Sequence, residues 1–497
     1  MEKTIELFRT LFSKLPGRQN FIFWIVVALF IKSMFFYYKL EVEENRYPNG
    51  HYTHALAAEA VDTYSYFDPM ENFIQKGVYT DKLYEDYRMP GYGCVYYFLR
   101  LFFSINTTVN VIIFLQLFLS VVSVYVLALT AYMVFKRERY FYLTFFLYAV
   151  STFVSIYDHV LLTESFCASS FIFSVYFLVK AQKNPKYLIL SGLFLTWSTF
   201  LRPVMSLVFI LFVLYILIKY IRSYSKVQVM KFVLMFLLPF LIIDGAWVYR
   251  NYKLYNEIIP LTKHRFYSST EFTYLGHLNY ILQAYGGSVA SWEPDADVQF
   301  FKPRKDFKMK INVVPPKYIY TSQFNYDSLL IVRSLIADMQ DETLDSAKHK
   351  AEEQELIYRM DKYTKSIQDE KPFLFYIWAR IRFFKTFLIH SGTHNLFYKG
   401  SSELNKIELL AKIFYSLLYV VVLIGGFAGS FYLLYLGLKN TDYLLMGTIG
   451  LYFAFVTPIV VRMDQIRYFV PGYPFFVIAL IFCILSILSL ITKRSEA

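Results

Sequence analysis

Charged residues are scarce in this chain: 18% of its 497 residues, against about 25% in soluble domains. Cysteine is scarcer still. Cys94, Cys167 and Cys483 lie in apolar runs, show no metal-ligand spacing and cannot all pair with one another, which excludes a disulfide scaffold and says nothing of redox compartment. No glycine-rich phosphate loop, zinc signature or internal repeat is visible, so nucleotide-loop, zinc-ribbon and solenoid classes fall away. The first apolar run, 21–38, is preceded by Lys3, Arg9, Lys14 and Arg18 and followed by "KLEVEENRYPNG". No small-residue cleavage site follows it, and the expectation is a retained signal anchor with its positive end inside.

What is abundant is apolar and aromatic. Hydrophobic residues make up 56% and aromatics 20%, with 51 Phe and 45 Tyr, a composition suited to lipid-facing helices and interfacial belts. The formal net charge of +12 does not point to nucleic acid, because the cations sit in short loops between apolar runs, where bilayer orientation accounts for them.

A membrane helix needs about 20 apolar residues. Such runs occur at 21–38, 108–135, 140–157, 166–180, 187–201, 204–221, 229–249, 408–437, 442–461 and 469–491. The short pair 187–201 and 204–221 reads either as two helices or as one kinked at Pro203. Merging them would place Lys219, Arg222, Lys226, Lys231 and the carboxyl-terminal "KR" outside, against the positive-inside tendency, so two helices are expected. Residues 91–105 then do not cross and read as an interfacial or re-entrant helix. The expectation is an all-α polytopic membrane protein of about ten transmembrane helices, both ends cytoplasmic. Residues 1–251 form the core with a first outer loop at 40–90. Residues 252–405 form a mixed extracytoplasmic domain inserted before the last three helices, and 406–497 carry those helices. Within the domain, 335–366 reads as a charged helix, and 372–390 ("PFLFYIWARIRFFKTFLIH") as an amphipathic segment suited to a membrane surface.

The chemistry concentrates at the outer face. "AVDTYSYFDPMENFIQKGVYTDKLYEDYRMPGYG", starting at Ala60, holds six carboxylates, Asp62 and Asp68 foremost, and ends on Arg88, Pro90, Gly91 and Tyr92. Asp68, before Pro69, reads as a helix-start cap. "SIYDHVLLTESFCASS" adds Asp158 and Glu164; Glu164 is read as pointing inward, with a first-turn acid favoured by the helix dipole as the plainer alternative. Arg202, Arg250, Arg462 and Arg467 stand at the same face. Each alone reads as a snorkelling cation. Together with the acids they suit a phosphate carried on a lipid and attacked by an activated hydroxyl.

These stretches resemble the membrane-embedded GT-C glycosyltransferases, closest to family 39-like enzymes related to protein O-mannosyltransferases and lipid A aminoarabinose transferases. The first outer loop resembles theirs in an early Asp followed by a Tyr, a later Gly, a basic residue and Pro-Gly-Tyr. "LTES", "FLRPV", "RNYKLYNEIIPLT" and "RYFVPGYP" resemble later landmarks in order along the whole chain. Thr63 stands where the mannosyltransferases carry a second acid, which weighs against protein mannosylation, and 252–405 has no recognisable counterpart. The resemblance implies an inverting transferase that uses a polyprenyl-phosphate-linked sugar at the extracytoplasmic face. Asp62 would be the general base and Arg88, Arg202 and Arg467 the donor-phosphate contacts, with Asp158, Glu164, Tyr92 and Tyr468 in support. The acceptor is a protein, lipid or glycan hydroxyl, and no cofactor is expected. Asp158, His159 and Glu164 would form only a weak metal site, and no metal is favoured. The alternatives are a transporter or flippase of lipid-linked saccharide, a saccharide polymerase or ligase, and a scaffold whose outer domain binds a partner.

Overall fold

Helices make up nearly all of the computed structural model, which describes residues 15–43, 56–60, 62–79, 88–262, 274–287, 298–301, 315–339, 346–393, 402–462 and 465–495. Among the described residues there is no strand, only a single parallel bridge between Ala58 and Val160. Six helices are long and apolar enough to cross a membrane: Ile105–Phe135, Pro203–Tyr220, Lys226–Tyr255, Lys406–Gly437, Thr441–Val461 and Tyr473–Ile491. Phe21–Tyr37 and Tyr187–Leu201 are apolar but shorter. The chain is a multi-pass membrane protein of helical class.

Sequence signals set the helix ends. Ser225 accepts from the backbone of Gln228, whose side chain accepts from the Ser225 backbone, and the helix thus opened runs to Asn256 in the left-handed conformation. Asn405 and Glu408 form the same reciprocal cap on Lys406–Gly437. Each cap satisfies orphan amides that lipid cannot. Along the capped helices Met230, Leu241, Leu410 and Ile424 are exposed, an uncovered apolar surface that only lipid would suit.

The chain reverses at Arg202, whose backbone is extended before Pro203. Phe236 shows this directly. Its backbone lies against Gly192 and its ring packs on Phe209, at 5.5 Å between centroids. One continuous helix would hold residues 192 and 209 about 25 Å apart, so two antiparallel helices are present.

The run 140–157 departs from expectation. The helix Glu138–Ala149 is about 18 Å long, short of the roughly 30 Å apolar core. The chain breaks at Val150 and Ser151, makes one turn at Thr152–Ser155, and loops back toward Glu164. Polar partners explain the break: Ser151 donates to the Tyr473 hydroxyl at 2.8 Å, and Lys32 donates to Ser155 at 2.9 Å. The segment 91–105 contains the eight-residue helix Gly93–Arg100, too short to cross. Asp68 does not cap a helix start: the helix begins at Thr63, runs to Lys76 and contains Pro69.

The inserted region has its own core, built from Leu278, Leu282, Phe301, Leu329, Val332, Met360, Tyr363 and Ile367. Its described parts are helical (Tyr274–Tyr285, Tyr326–Asp338, Ser346–Glu370), so the mixed character expected of it is absent from them. Apolar residues there recur at helical spacing, as in Leu356, Met360, Tyr363 and Ile367, which suits helices and not strands. The charged run 335–366 divides between the last two of these helices, with 340–345 outside the described residues.

Candidate functional site

The first loop is sewn onto the 157–163 loop before any chemistry is placed. The Ala58 amide donates to the His159 carbonyl at 3.0 Å, and the Leu161 amide donates back to the Ala58 carbonyl at 2.9 Å. The Thr63 hydroxyl accepts from the Ala60 amide and donates to the Leu161 carbonyl. The Gln116 amide donates to the carbonyls of Asp158 and Val160 from beneath. Thr63, buried and fully engaged, is thus a stitch between loops.

The end of the first loop closes on the neighbouring helix. Gly91 lies so near the end of Tyr187–Leu201 that a Cβ would come 2.5 Å from the Phe200 carbonyl carbon. The Trp197 indole donates to the Gly91 carbonyl at 3.2 Å. The "MPG" turn therefore seats Arg88 close to Arg202, which follows that helix directly.

Between these pieces lies an ionic cluster. Asp62 sits just before the helix Thr63–Lys76 but does not cap it with its side chain. Its carboxylate instead takes Arg467 Nη1 at 2.6 Å and Arg88 Nη2 at 3.1 Å. Glu164, first residue of the helix Glu164–Lys180, pairs with Arg202 Nη1 at 2.5 Å and lies 3.8 Å from Arg467 Nη1. Arg467 therefore bridges both acids. Arg88 also donates to the hydroxyls of Ser65 (2.9 Å) and Tyr66 (3.1 Å). The Arg202 guanidinium lies 4.1 Å over the Tyr468 ring, and its Nε is buried with no hydrogen-bond partner among the described residues.

The cluster has a floor and a rim. Glu164 and Arg202 side chains are 1% and 5% exposed, whereas those of Asp62 and Arg467 are 26% and 25% exposed. A ligand would meet Asp62, Arg88 and Arg467 first. Among the described residues of the cluster, three guanidiniums face two carboxylates. Burial alone would raise the Asp62 pKa, but Arg467 and Arg88 outweigh it and hold the carboxyl below its ordinary value.

Of the residues read from the sequence, Asp62, Arg88, Arg202, Glu164, Arg467 and Tyr468 converge here. Tyr92 lies beside the cluster, fully buried, with its hydroxyl donating to Gln116 at 2.7 Å and its ring stacked on Phe67; it packs the loop and has no surface to offer a substrate. Asp158 belongs to a second network. It takes Lys32 at 3.1 Å, Ser120 at 2.9 Å and Ser165 at 2.6 Å, all buried. Arg250 stands apart too, donating to Asn251 and to the Tyr79 carbonyl. Among the described residues, no group of three or more His, Cys, Asp and Glu is arranged to hold a metal ion. Sequence reading passed over Lys32, although a lysine inside the run 21–38 is the signal an intramembrane ionisable residue gives. Gln116, buried mid-helix and polar, was passed over likewise. No protein-family model matches the chain, and no curated protein matches it.

Proposed function

We propose that this protein is a GT-C-type membrane glycosyltransferase that moves a sugar from a polyprenyl-phosphate donor to an acceptor hydroxyl at the extracytoplasmic face. The observation that carries the reading is the convergence of three guanidiniums, Arg88, Arg202 and Arg467, on the two carboxylates of Asp62 and Glu164 among the described residues. A phosphate diester entering from the rim meets guanidiniums whose geometry suits bidentate contact. Competition for Arg88 and Arg467 loosens their hold on Asp62, freeing a carboxylate to accept the proton of the acceptor hydroxyl. As the sugar–phosphate bond breaks, the bonding pair goes to the phosphate oxygen, where the arginines stabilise the growing charge. The acceptor oxygen then attacks the oxocarbenium-like carbon. Asp62 needs little basicity for this, because the hydroxyl becomes acidic as the bond to carbon forms.

The ten crossings of this reading need Phe21–Tyr37, the broken segment Glu138–Ser155, Glu164–Lys180 and Tyr187–Leu201 to count as passes beside the six long helices. Asp62→Asn tests the chemistry. It keeps the side chain's size but loses the base, so transfer from a polyprenyl-phosphate sugar should fall by at least about 100-fold, with donor binding retained. Near-normal transfer would sink the reading. Asp68→Asn is the control and should be mild.

A second reading, transport or flipping of a lipid-linked saccharide, is favoured by the buried Lys32–Asp158 pair, since ionisable groups inside a helix bundle often mark translocation paths. Purified protein that moves lipid-linked sugar across vesicles without transferring it would establish transport instead.

A further inference from the structure

A second concentration of positive charge lies away from the cluster around Asp62. Thr441–Val461 ends in a π-helical turn capped by Arg462, whose backbone is left-handed at φ +58°, unusual for a residue with a side chain. That turn aims Arg462 at the inserted region: its guanidinium lies 5.4 Å over the Phe375 ring, and its carbonyl accepts from Gln283 at 3.2 Å. One turn beyond Phe375 is Arg380, whose Nη1 is buried without a hydrogen-bond partner. Burial and the nearby Arg462 both press the Arg380 pKa down. Among the described residues neither arginine forms an ion pair. Two mutually repelling guanidiniums, one with a buried orphan donor, are an arrangement that an anion would complete.

The surroundings say which anion. Phe375, Ala379, Phe383 and Phe387 recur every fourth residue and are buried against the protein. Phe384 stacks on Phe455, and Phe387 packs edge-on to Phe469. This helix therefore lies at the level where the membrane-crossing helix ends. Its other side exposes Phe373, Tyr376, Ile377, Trp378 and Ile381, apolar and interfacial residues left uncovered by the described residues, as at a headgroup boundary. We infer that Arg380 and Arg462 bind the phosphate of an anionic phospholipid whose acyl chains lie along this exposed face.

The test uses the full-length protein in neutral detergent, incubated with phosphatidylglycerol or phosphatidylcholine and read by native mass spectrometry. Phosphatidylglycerol should stay bound and phosphatidylcholine should not. Arg380→Gln and Arg462→Gln should each weaken retention by about tenfold or more, the loss expected for a charge-assisted hydrogen bond. Arg359→Gln, which removes a cation paired with Glu355 within the separate helix Ser346–Glu370, should leave it unchanged. In lipid-free detergent Arg380→Gln should keep or raise the melting temperature, because it removes a repelling charge. Unchanged retention in both variants, equal loss in Arg359→Gln, a lowered lipid-free melting temperature in Arg380→Gln, or full protection by inorganic phosphate alone would each overturn the assignment.

Discussion

Arg88 holds the Asp62 carboxylate, the Ser65 hydroxyl and the Tyr66 hydroxyl at once while lying 4.5 Å over the Tyr66 ring. A guanidinium has donors enough for that fan, and an ammonium on a flexible stem does not. Arg88→Lys should therefore lose about 10- to 100-fold of transfer and Arg88→Ala more, the loss of one or two charge-assisted hydrogen bonds, with folding monitored by size-exclusion profile. Full activity in Arg88→Ala would move the phosphate contact to Arg202 and Arg467. Asp62 carries a pH prediction as well. Its pKa in the folded chain is depressed below the ordinary 3.8, so the ionised form persists on acidification. Any stability it contributes is present above that ordinary value and lost only as pH falls through the depressed one. The acid limb of kcat/KM, which reports the free enzyme, should lie below 3.8, and an acid limb near neutral pH would remove Asp62 as the base. Asp62, Arg88, Glu164, Arg202 and Arg467 were legible because each interrupts or borders an apolar run. Their pairing was not: that Arg467 serves both acids while Asp158 turns away to Lys32 depends on contacts between residues more than 100 positions apart.

At the scale of elements, caps and glycines carry the placement. Gly91 allows the first loop to lie on the backbone of Phe200 and Leu201. Gly91→Ala should push that loop off by destabilising the contact about 1–3 kcal/mol, and transfer should fall with it. Gly245→Ala is the matched comparison: nothing lies within 4 Å of its added methyl, and in a helix interior the change should stabilise by about 0.5–1 kcal/mol. Thermal unfolding and activity of the two variants, measured together, check both; unaltered activity in Gly91→Ala would separate the loop from the chemistry. Helix starts at Ser225 and Asn405 could be read from residue type, since each is an N-cap residue with Gln or Glu three positions on. The break at Ser151 could not. Hydropathy runs continuously through it, and what ends the helix is the pull of Tyr473 and Lys32 on Ser151 and Ser155, which no local pattern records.

At the scale of the molecule, orientation decides whether the proposed donor can reach the site. From the loop charges we propose that residues 252–405 face outside. Gln354, exposed on the helix Ser346–Glu370, gives a position to test it: Gln354→Cys in intact cells should react with an impermeant thiol reagent, and labelling only after lysis would reverse the topology and remove the donor argument. The helical class was legible in composition alone. The inserted domain was legible as a long polar stretch, but the residues of its core were not, because they come from several helices and short turns split by polar runs. The arrangement of charge has one more consequence, in the order of synthesis. Asp62, Arg88, Glu164 and Arg202 all belong to the first half of the chain, and by themselves they are two acids and two bases, electrically balanced. Arg467 comes near the end of translation, bridges both acids and tips the balance. Among the described members of the cluster, charge would therefore balance in the nascent chain until Arg467 is made, and the surplus cation would arrive only with the final helices.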